Sequence, residues 1–340
     1  MKVAQNQALL IGGTPVLRIP SLSKLTGNDI FVKCEWANPG GSIKDRAALS
    51  MVTKAIERGD LKPGMTIVEG TAGNTGIGLA VVAKSFGLKM LAVMPSGQAI
   101  EKQRMIELFG AQLKLVKPVP FANENHFYHT ARRLGEEGKD FWWANQFENT
   151  DNLLAHYENT APEIVDQFKG DLDIFVCSAG TGGTVGGNTK YLKEKVKGIK
   201  CYLVDPGGSG LNSFLRTGEF KSEGTSITEG IGIMRETANF KESQLDGSFS
   251  LEDSLHVSLA RYVQEQDGII LGSSSALNLA AAFKLSLENP NQNKKILTFM
   301  CDLGERSYSK MYNDDYLTES SINYSMSLDA IIEGLKKIAL

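Results

Sequence analysis

The chain has 340 residues, 42% of them hydrophobic, and a formal net charge of −3. That length supplies ample core for one or two α/β domains, and the near-balanced charge offers no basic surface for nucleic acid. No apolar run reaches the roughly 18 residues of a membrane helix, so neither nucleic acid nor a membrane is an expected partner.

In chain order, the first twenty residues, "MKVAQNQALLIGGTPVLRIP", lack a signal-peptide pattern, so a cytoplasmic location is expected. Strands are then predicted over "DIFVKCEW", "TIVEG", "KMLAVMP", "QLKLVKP", "FWWANQF", "DIFVCSA", "KCYLVDP" and "KILTFMCD". Between most of them lie amphipathic stretches such as "GIGLAVVAKSFG", "AIEKQRMIELFG" and "GTVGGNTKYLKEKVKG", with Gly87, Gly110 and Gly198 placed as left-handed caps. This alternation predicts a mainly parallel sheet covered by helices. The polar segment Trp143–Ile164 reads as a crossing between two lobes. A final stripe of Leu328, Ile331, Ile332, Leu335 and Ile338 predicts a terminal helix packed on the body or on a partner subunit.

Cys34, Cys177, Cys201 and Cys301 are widely separated with no C-x-x-C, which suits a reducing compartment and gives none of the usual zinc spacings. His126 and His129, three residues apart, are expected to be solvated or capping, so no metal site is predicted.

Four stretches carry chemistry. "NPGGSIKDRAALS" sets Lys44 at the start of a helix, directly after a predicted strand. The helix dipole and shielding from water both favour the free amine there, and a free lysine amine forms Schiff bases. "EGTAGNTGIGLA" presents Asn74 among glycines and threonines at a second helix start, suited to a carboxylate or phosphate. "CSAGTGGTVGG" follows a strand and offers Gly180, Thr181, Gly182, Gly183 and Thr184 as a nest of N–H donors without room for side chains at its glycines. "GIILGSSSALNLAAAF" places Ser274 and Ser275 where either hydroxyl can reach a ligand or simply cap the helix. A dinucleotide fingerprint would need glycine at position 185, which is Val185, although Asp205 stands where a ribose-binding acid belongs. An amine-reactive carbonyl, a phosphate and polar ring substituents together describe pyridoxal 5'-phosphate.

These motifs, "NPGGSIKDR", "GTAGNTG", "GTGGT" and "GSSSA", occur in the order and spacing of the cysteine synthase and cystathionine β-synthase family, and the chain resembles that family from about Gly12 to Ser307. "NQFENTDNLLAHYENTAPEI" and "EGIGIMRETANF" extend the resemblance. It implies a fold type II pyridoxal-phosphate enzyme of two lobes: a smaller, mobile lobe over residues 48–150, a larger cofactor lobe over 1–47 and 151–314, and a tail helix in 315–340. It implies that Lys44 carries the cofactor, that Asn74 contacts the ring hydroxyl, that Gly180–Thr184 hold the phosphate and that Ser274 meets the pyridine nitrogen. Thr71, Ala72, Gly73, Thr75, Gln146 and Gly230 would bind the substrate. The implied reaction is β-replacement, making L-cysteine from O-acetyl-L-serine and sulfide through an aminoacrylate.

Cystathionine β-synthase activity, use of O-phosphoserine, and serine or threonine elimination are the alternatives within the family. A nicotinamide-dependent oxidoreductase and a non-catalytic partner of serine acetyltransferase lie outside that reaction class. The resemblance also implies a homodimer. Two features depart from the family pattern: Ala72 replaces the usual loop serine, and Arg235 follows the "EGIG" loop, where it is expected at the surface.

Overall fold

The computed structural model describes residues 3–340 and holds two sheets. The larger has the order β1 (Val16–Arg18), β2 (Asp29–Cys34), β10 (Lys295–Met300), β7 (Ile174–Cys177), β8 (Lys200–Pro206), β9 (Gly247–Leu251). All its pairs are parallel except β1 with β2. The smaller sheet is wholly parallel, in the order β5 (Gln112–Val116), β4 (Lys89–Pro95), β3 (Thr66–Gly70), β6 (Phe141–Trp143). The inner strands are nearly continuous apolar runs because helices bury both of their faces. Pairs of helices such as Asp253–Asp267 and Ser273–Glu288 form one covering layer with Leu259, Phe283 and Leu277 fully buried.

Two strands went unseen in the sequence, β1 and β9. Both are short sheet edges, three and five residues long, and each exists because a stronger neighbour supplies its hydrogen bonds. The stretch expected as one strand from Phe141 to Phe147 stops at Trp143, since Asn145 turns left-handed with φ 50°. The polar crossing forms a helix Asp151–Ala155, one π-helical turn His156–Thr160 and a helix Ala161–Phe168. Gly87, Gly110 and Gly198 do take the left-handed conformation, with φ of 65°, 82° and 81°. The terminal helix Leu328–Lys337 packs on the body: Ile331 and Leu335 are buried in the same core as the helices it covers.

In open parallel sheets, ligands bind beyond the carboxyl ends of the strands. Here the ends of β2, β3, β6, β7 and β10 converge, and the segments that follow them supply Lys44, Thr71–Thr75, Gln146, Ser178–Gly182, Thr184 and Cys301 to one cavity. A buried polar knot fixes the floor beneath it. Arg46 bridges Glu35 and Glu163 at 2.7 Å each, and Lys33 reaches Glu163 at 2.9 Å. Burial disfavours the Glu163 anion, but Arg46 and then Lys33 outweigh it and hold the carboxyl at about 2. The knot ties β2, the helix Lys44–Arg58 and the helix Ala161–Phe168 together, which orients the helix that begins at Lys44.

Candidate active site

The cavity has a volume of about 480 Å³, a size usual for a cofactor with its substrate. Lys44 is the first residue of its helix and projects into it. Packing around the stem shields the amine, and this desolvation lowers its proton affinity, only partly opposed by Cys301 and Asp302. Among the described residues no protein acceptor hydrogen-bonds to Nζ, so the amine is directed into open space. Cys177 and Cys301 lie close by, and burial raises both thiols, Cys301 to about 12, so they remain neutral. They are 124 positions apart, and nothing in their sequence spacing placed them beside Lys44.

Opposite stands the glycine-rich turn. Gly180, Thr181, Gly182 and Thr184 line the cavity, and Gly182, at φ 84°, delivers the chain into the helix Gly183–Lys195. Free N–H groups and the positive helix end point at the cavity from here. The Thr181 hydroxyl accepts from Asn152 Nδ2 at 2.9 Å and from the Gly183 amide at 3.4 Å, which leaves its own proton to donate. Thr184 Oγ1 lies 3.3 Å from His156 Nε2, and burial keeps that imidazole neutral.

The glycines of this turn leave no room for side chains. Gly183 does not line the cavity; a side chain there would run into the Asn152 amide behind the turn. The space at Gly182 is likewise closed from behind, since a Cβ would lie 2.5 Å from the Phe240 nitrogen. The glycines are needed to pack the back of the turn, not to clear its front.

The loop after β3 forms the third wall. The Thr71 hydroxyl accepts from the amides of Gly73 and Gly76, at 3.0 and 3.2 Å, and this closes the loop on itself. Asn74 Nδ2 donates to Asp302 Oδ2 at 2.7 Å, and its Oδ1 accepts from Arg306 Nη1 at 3.1 Å. A carboxylate only accepts and a guanidinium only donates, so the amide orientation is determined and one N–H remains for a ligand. Gln146 Nε2 donates to Glu69 Oε1 at 3.1 Å and to the Gly70 carbonyl at 2.8 Å, while its Oε1 accepts from Thr75 at 2.7 Å. Both Gln146 amide protons are therefore engaged, and the residue sets the Thr75 hydroxyl. Ala72 and Gly73 line the same wall, Gly73 at φ 143° with Lys102 pressed against it. Gly230, at φ 78°, presents its carbonyl to Gly180 from the facing loop.

Ser274 lines the cavity in the first turn of the helix Ser273–Glu288, whereas Ser275 turns away and donates to the Asp302 carbonyl at 2.9 Å. Asp205, the ribose-binding candidate, accepts from the Asn212 amide at 2.8 Å and does not line the cavity. Arg235 is not a surface arginine: it lines the cavity, paired with Glu148 and surrounded by aromatic rings. Asn152, Asp302, Arg306, Lys102 and Glu229 also escaped the sequence reading. Each acts through a partner distant in the chain, and only a hydrophilic residue in an otherwise apolar stretch hinted at any of them.

Comparison with known proteins agrees with this geometry. The family model described as pyridoxal-phosphate dependent enzyme matches residues 8–302, and the chain belongs to that family. Cysteine synthase 1 of Neurospora crassa is 42% identical over 340 residues, covering 98% of this chain and 89% of that protein. A cysteine synthase of Dictyostelium discoideum is 42% identical over 327 residues, covering 93% and 86%. Among solved structures, an O-acetylserine dependent cystathionine beta-synthase from Helicobacter pylori superposes with a TM-score of 0.82 at 33% identity, covering 91% of this chain and 99% of that one. The architecture is that of the fold type II pyridoxal-phosphate enzymes.

Proposed function

We propose that this protein is a cysteine synthase, forming L-cysteine from O-acetyl-L-serine and sulfide with pyridoxal 5'-phosphate. The observation that carries the reading is the shielded Lys44 amine, without a protein partner, facing a glycine-rich helix start across one cavity. The relatives named cysteine synthase set the substrate expectation. The residues fit the cofactor: a phosphate meets the Thr181 hydroxyl, the Thr184 hydroxyl and the free N–H groups at the start of the helix Gly183–Lys195.

When bound, pyridoxal phosphate supplies an electron-withdrawing ring that eases loss of the α-proton and then of the β-substituent. Lys44 would anchor the cofactor and its free amine would take the proton from Cα of the substrate. Its lowered proton affinity suits it to that work near neutral pH. Asn74 offers its remaining N–H to the ring hydroxyl, held in place by Asp302 and Arg306. Ser274, which lines the cavity, would be a neutral hydrogen-bond partner for the ring nitrogen. The Thr71–Thr75 loop takes the substrate carboxylate, with Thr75 set by Gln146.

The reading includes closure of a smaller lobe over residues 48–150 to exclude water. A homodimer is part of it, and Leu9 and Leu10, 65% and 58% exposed near the N-terminus, offer apolar surface for one. Four free cysteines suit a cytoplasmic location, where serine acetyltransferase would be a further partner.

The test is to mix the holoenzyme with O-acetylserine, O-phosphoserine, or serine with homocysteine, and follow both the cofactor spectrum and product. Cysteine from O-acetylserine and sulfide is expected at the highest kcat/KM. Faster cystathionine formation from serine and homocysteine would replace this reading with cystathionine β-synthase activity.

A further inference from the structure

Arg235 sits where the cavity opens to solvent, a position marked by its half-exposed neighbours Phe121 and Met234. Its guanidinium carbon is 5.0 Å from the centre of the Phe121 ring, 5.2 Å from Tyr128 and 5.1 Å from Phe147. Phe121 follows β5, Tyr128 lies in the helix Phe127–Glu137 and Phe147 follows β6, all segments attached to the smaller sheet, while Arg235 belongs to the loop that packs Gly230 against the glycine-rich turn. Its charge pairs with Glu148 through Nη1. The other Glu148 oxygen accepts from the Ala238 amide at 2.9 Å, so the carboxylate is pinned to the same loop as the arginine.

A free arginine at a cavity mouth would attract anions, but this one is not free. An anion approaching it meets the fixed Glu148 carboxylate and the negative faces of three rings. What the arrangement does is hold an aromatic wall against the opposing loop. A planar guanidinium stacks flat on several rings at once while keeping its ion pair, a geometry that a compact ammonium matches poorly.

We propose that Arg235 is the specificity-determining positioning residue of the mouth: by pinning Phe121, Tyr128 and Phe147 to the Gly230 loop it restricts the β-substituent of the amino-acid substrate to a small, uncharged group. This rests on the β-replacement reading above. It predicts that O-acetylserine is preferred over O-butyrylserine, whose two extra methylenes meet the wall, and over O-phosphoserine, whose charge meets Glu148.

The experiment compares kcat/KM for these three substrates, with sulfide as nucleophile, in wild-type holoenzyme and in the Arg235→Met, Arg235→Lys and Glu148→Gln variants. Near-ultraviolet circular dichroism first establishes that each variant is folded. In Arg235→Met the preference for O-acetyl over O-butyryl should fall by about tenfold, the range that methylene exclusion commands, carried by a lower KM for the larger ester. Arg235→Lys should not restore the preference, and Glu148→Gln should improve O-phosphoserine relative to O-acetylserine. An acetyl-to-butyryl ratio unchanged within about twofold in Arg235→Met overturns the proposal. So does a wild-type preference for O-phosphoserine that Arg235→Lys retains, which would make Arg235 an anion site. If the wild type turns over none of the three, the β-replacement reading fails by itself. The shift of the cofactor band on binding each amino acid then still reports whether Arg235 discriminates among them.

Discussion

On the larger-sheet side of the cavity, the glycine-rich turn rests on neutral, buried hydrogen bonds: Asn152 to the Thr181 hydroxyl at 2.9 Å and Thr237 to the Thr181 carbonyl at 2.8 Å. On the smaller-sheet side, the wall is tied to its surroundings by charge. Glu229 meets Lys102 at 2.7 Å and Lys310 at 2.6 Å, and Arg235 meets Glu148. Buried neutral networks specify one geometry and lose it expensively, whereas the Arg235–Glu148 pair, 27% and 34% exposed, is screened by salt and can part; the Lys102–Glu229 pair, 3% and 7% exposed, is not. The side expected to grip a phosphate permanently is thus rigid, and the side that must admit and release an amino acid is held at its rim by a contact that can open.

The largest expected effect lies where the two sides meet. Lys44→Ala should fold, because its helix is held by Arg46 and the buried core, not by the amine. It should lose the near-visible cofactor band and about 10³-fold or more of turnover, within the range for deleting a general base and an anchor together. Turnover within tenfold of wild type would remove Lys44 from the centre of the reading.

On the rigid side, Thr181→Val deletes a hydroxyl and strands the buried Asn152 amide. Cofactor affinity, measured by equilibrium dialysis, should fall by about 1–3 kcal/mol, the cost of an unsatisfied buried donor together with a lost phosphate contact. Gly182→Ala should act differently, through stability. Its φ of 84° and the approach to Phe240 both oppose a side chain, and a cost of about 1–3 kcal/mol is expected even without cofactor. Equal loss of cofactor affinity and no loss of stability in Gly182→Ala would show that its hydrogen faces the ligand after all.

How far the sequence disclosed this site follows the same division. Lys44, Asn74 and the glycine-rich turn were legible because helix starts after strands carry a local signature of glycine, threonine and N-cap chemistry. Eight of the ten strands, all but β1 and β9, were legible as β-rich runs between turn residues. The supports were not. Asn152 reaches Thr181 across 29 positions, Asp302 reaches Asn74 across 228, and Glu148 reaches Arg235 across 87. No periodicity or spacing encodes such pairs; only the closed sheets bring them together. Arg235 was assigned to the surface on the general exposure of arginines, and the three aromatic rings that draw it inward come from two other segments. Edge strands β1 and β9 were missed for a related reason, since their pairing energy resides in their neighbours.

On the adaptable side, pH offers a sharper probe. Burial raises the Glu69 carboxyl to about 8, although hydrogen bonds from Gln146 oppose the shift. The folded chain therefore keeps a proton that the unfolded chain releases above about 4.5. Stability then falls as pH rises from that value towards 8, by up to about 1.4 kcal/mol per pH unit for this group. Glu69→Gln keeps an acceptor for Gln146 and removes the titration. Melting temperatures of the variant and wild type should converge near pH 5 and diverge in favour of the variant near pH 8. Asp45, raised by burial to about 7, is present in both proteins and cancels in the difference. Parallel profiles across that window would mean that Glu69 is ionised in the folded protein.

The smallest expected effect concerns Ala72, which replaces the serine of the family pattern that the loop resembles. Ala72 lines the cavity in the loop that Thr71 closes, and its methyl group gives the substrate carboxylate nothing to bond. Ala72→Ser adds one hydroxyl to a wall that already offers the backbone amides of Ala72, Asn74 and Thr75, the Thr75 hydroxyl proton being taken by Gln146. A single added hydrogen bond to a charged group, made against competition from water, is worth about 0.5–1.5 kcal/mol net. KM for O-acetylserine should therefore drop by about two- to tenfold, while cofactor affinity, which depends on the opposite wall, stays constant. A change in cofactor affinity would mean that the two walls are coupled, against the division between them. An unchanged KM would place the substrate carboxylate away from the Thr71–Thr75 loop, and the search for its partner would move to Gly230 and the facing loop.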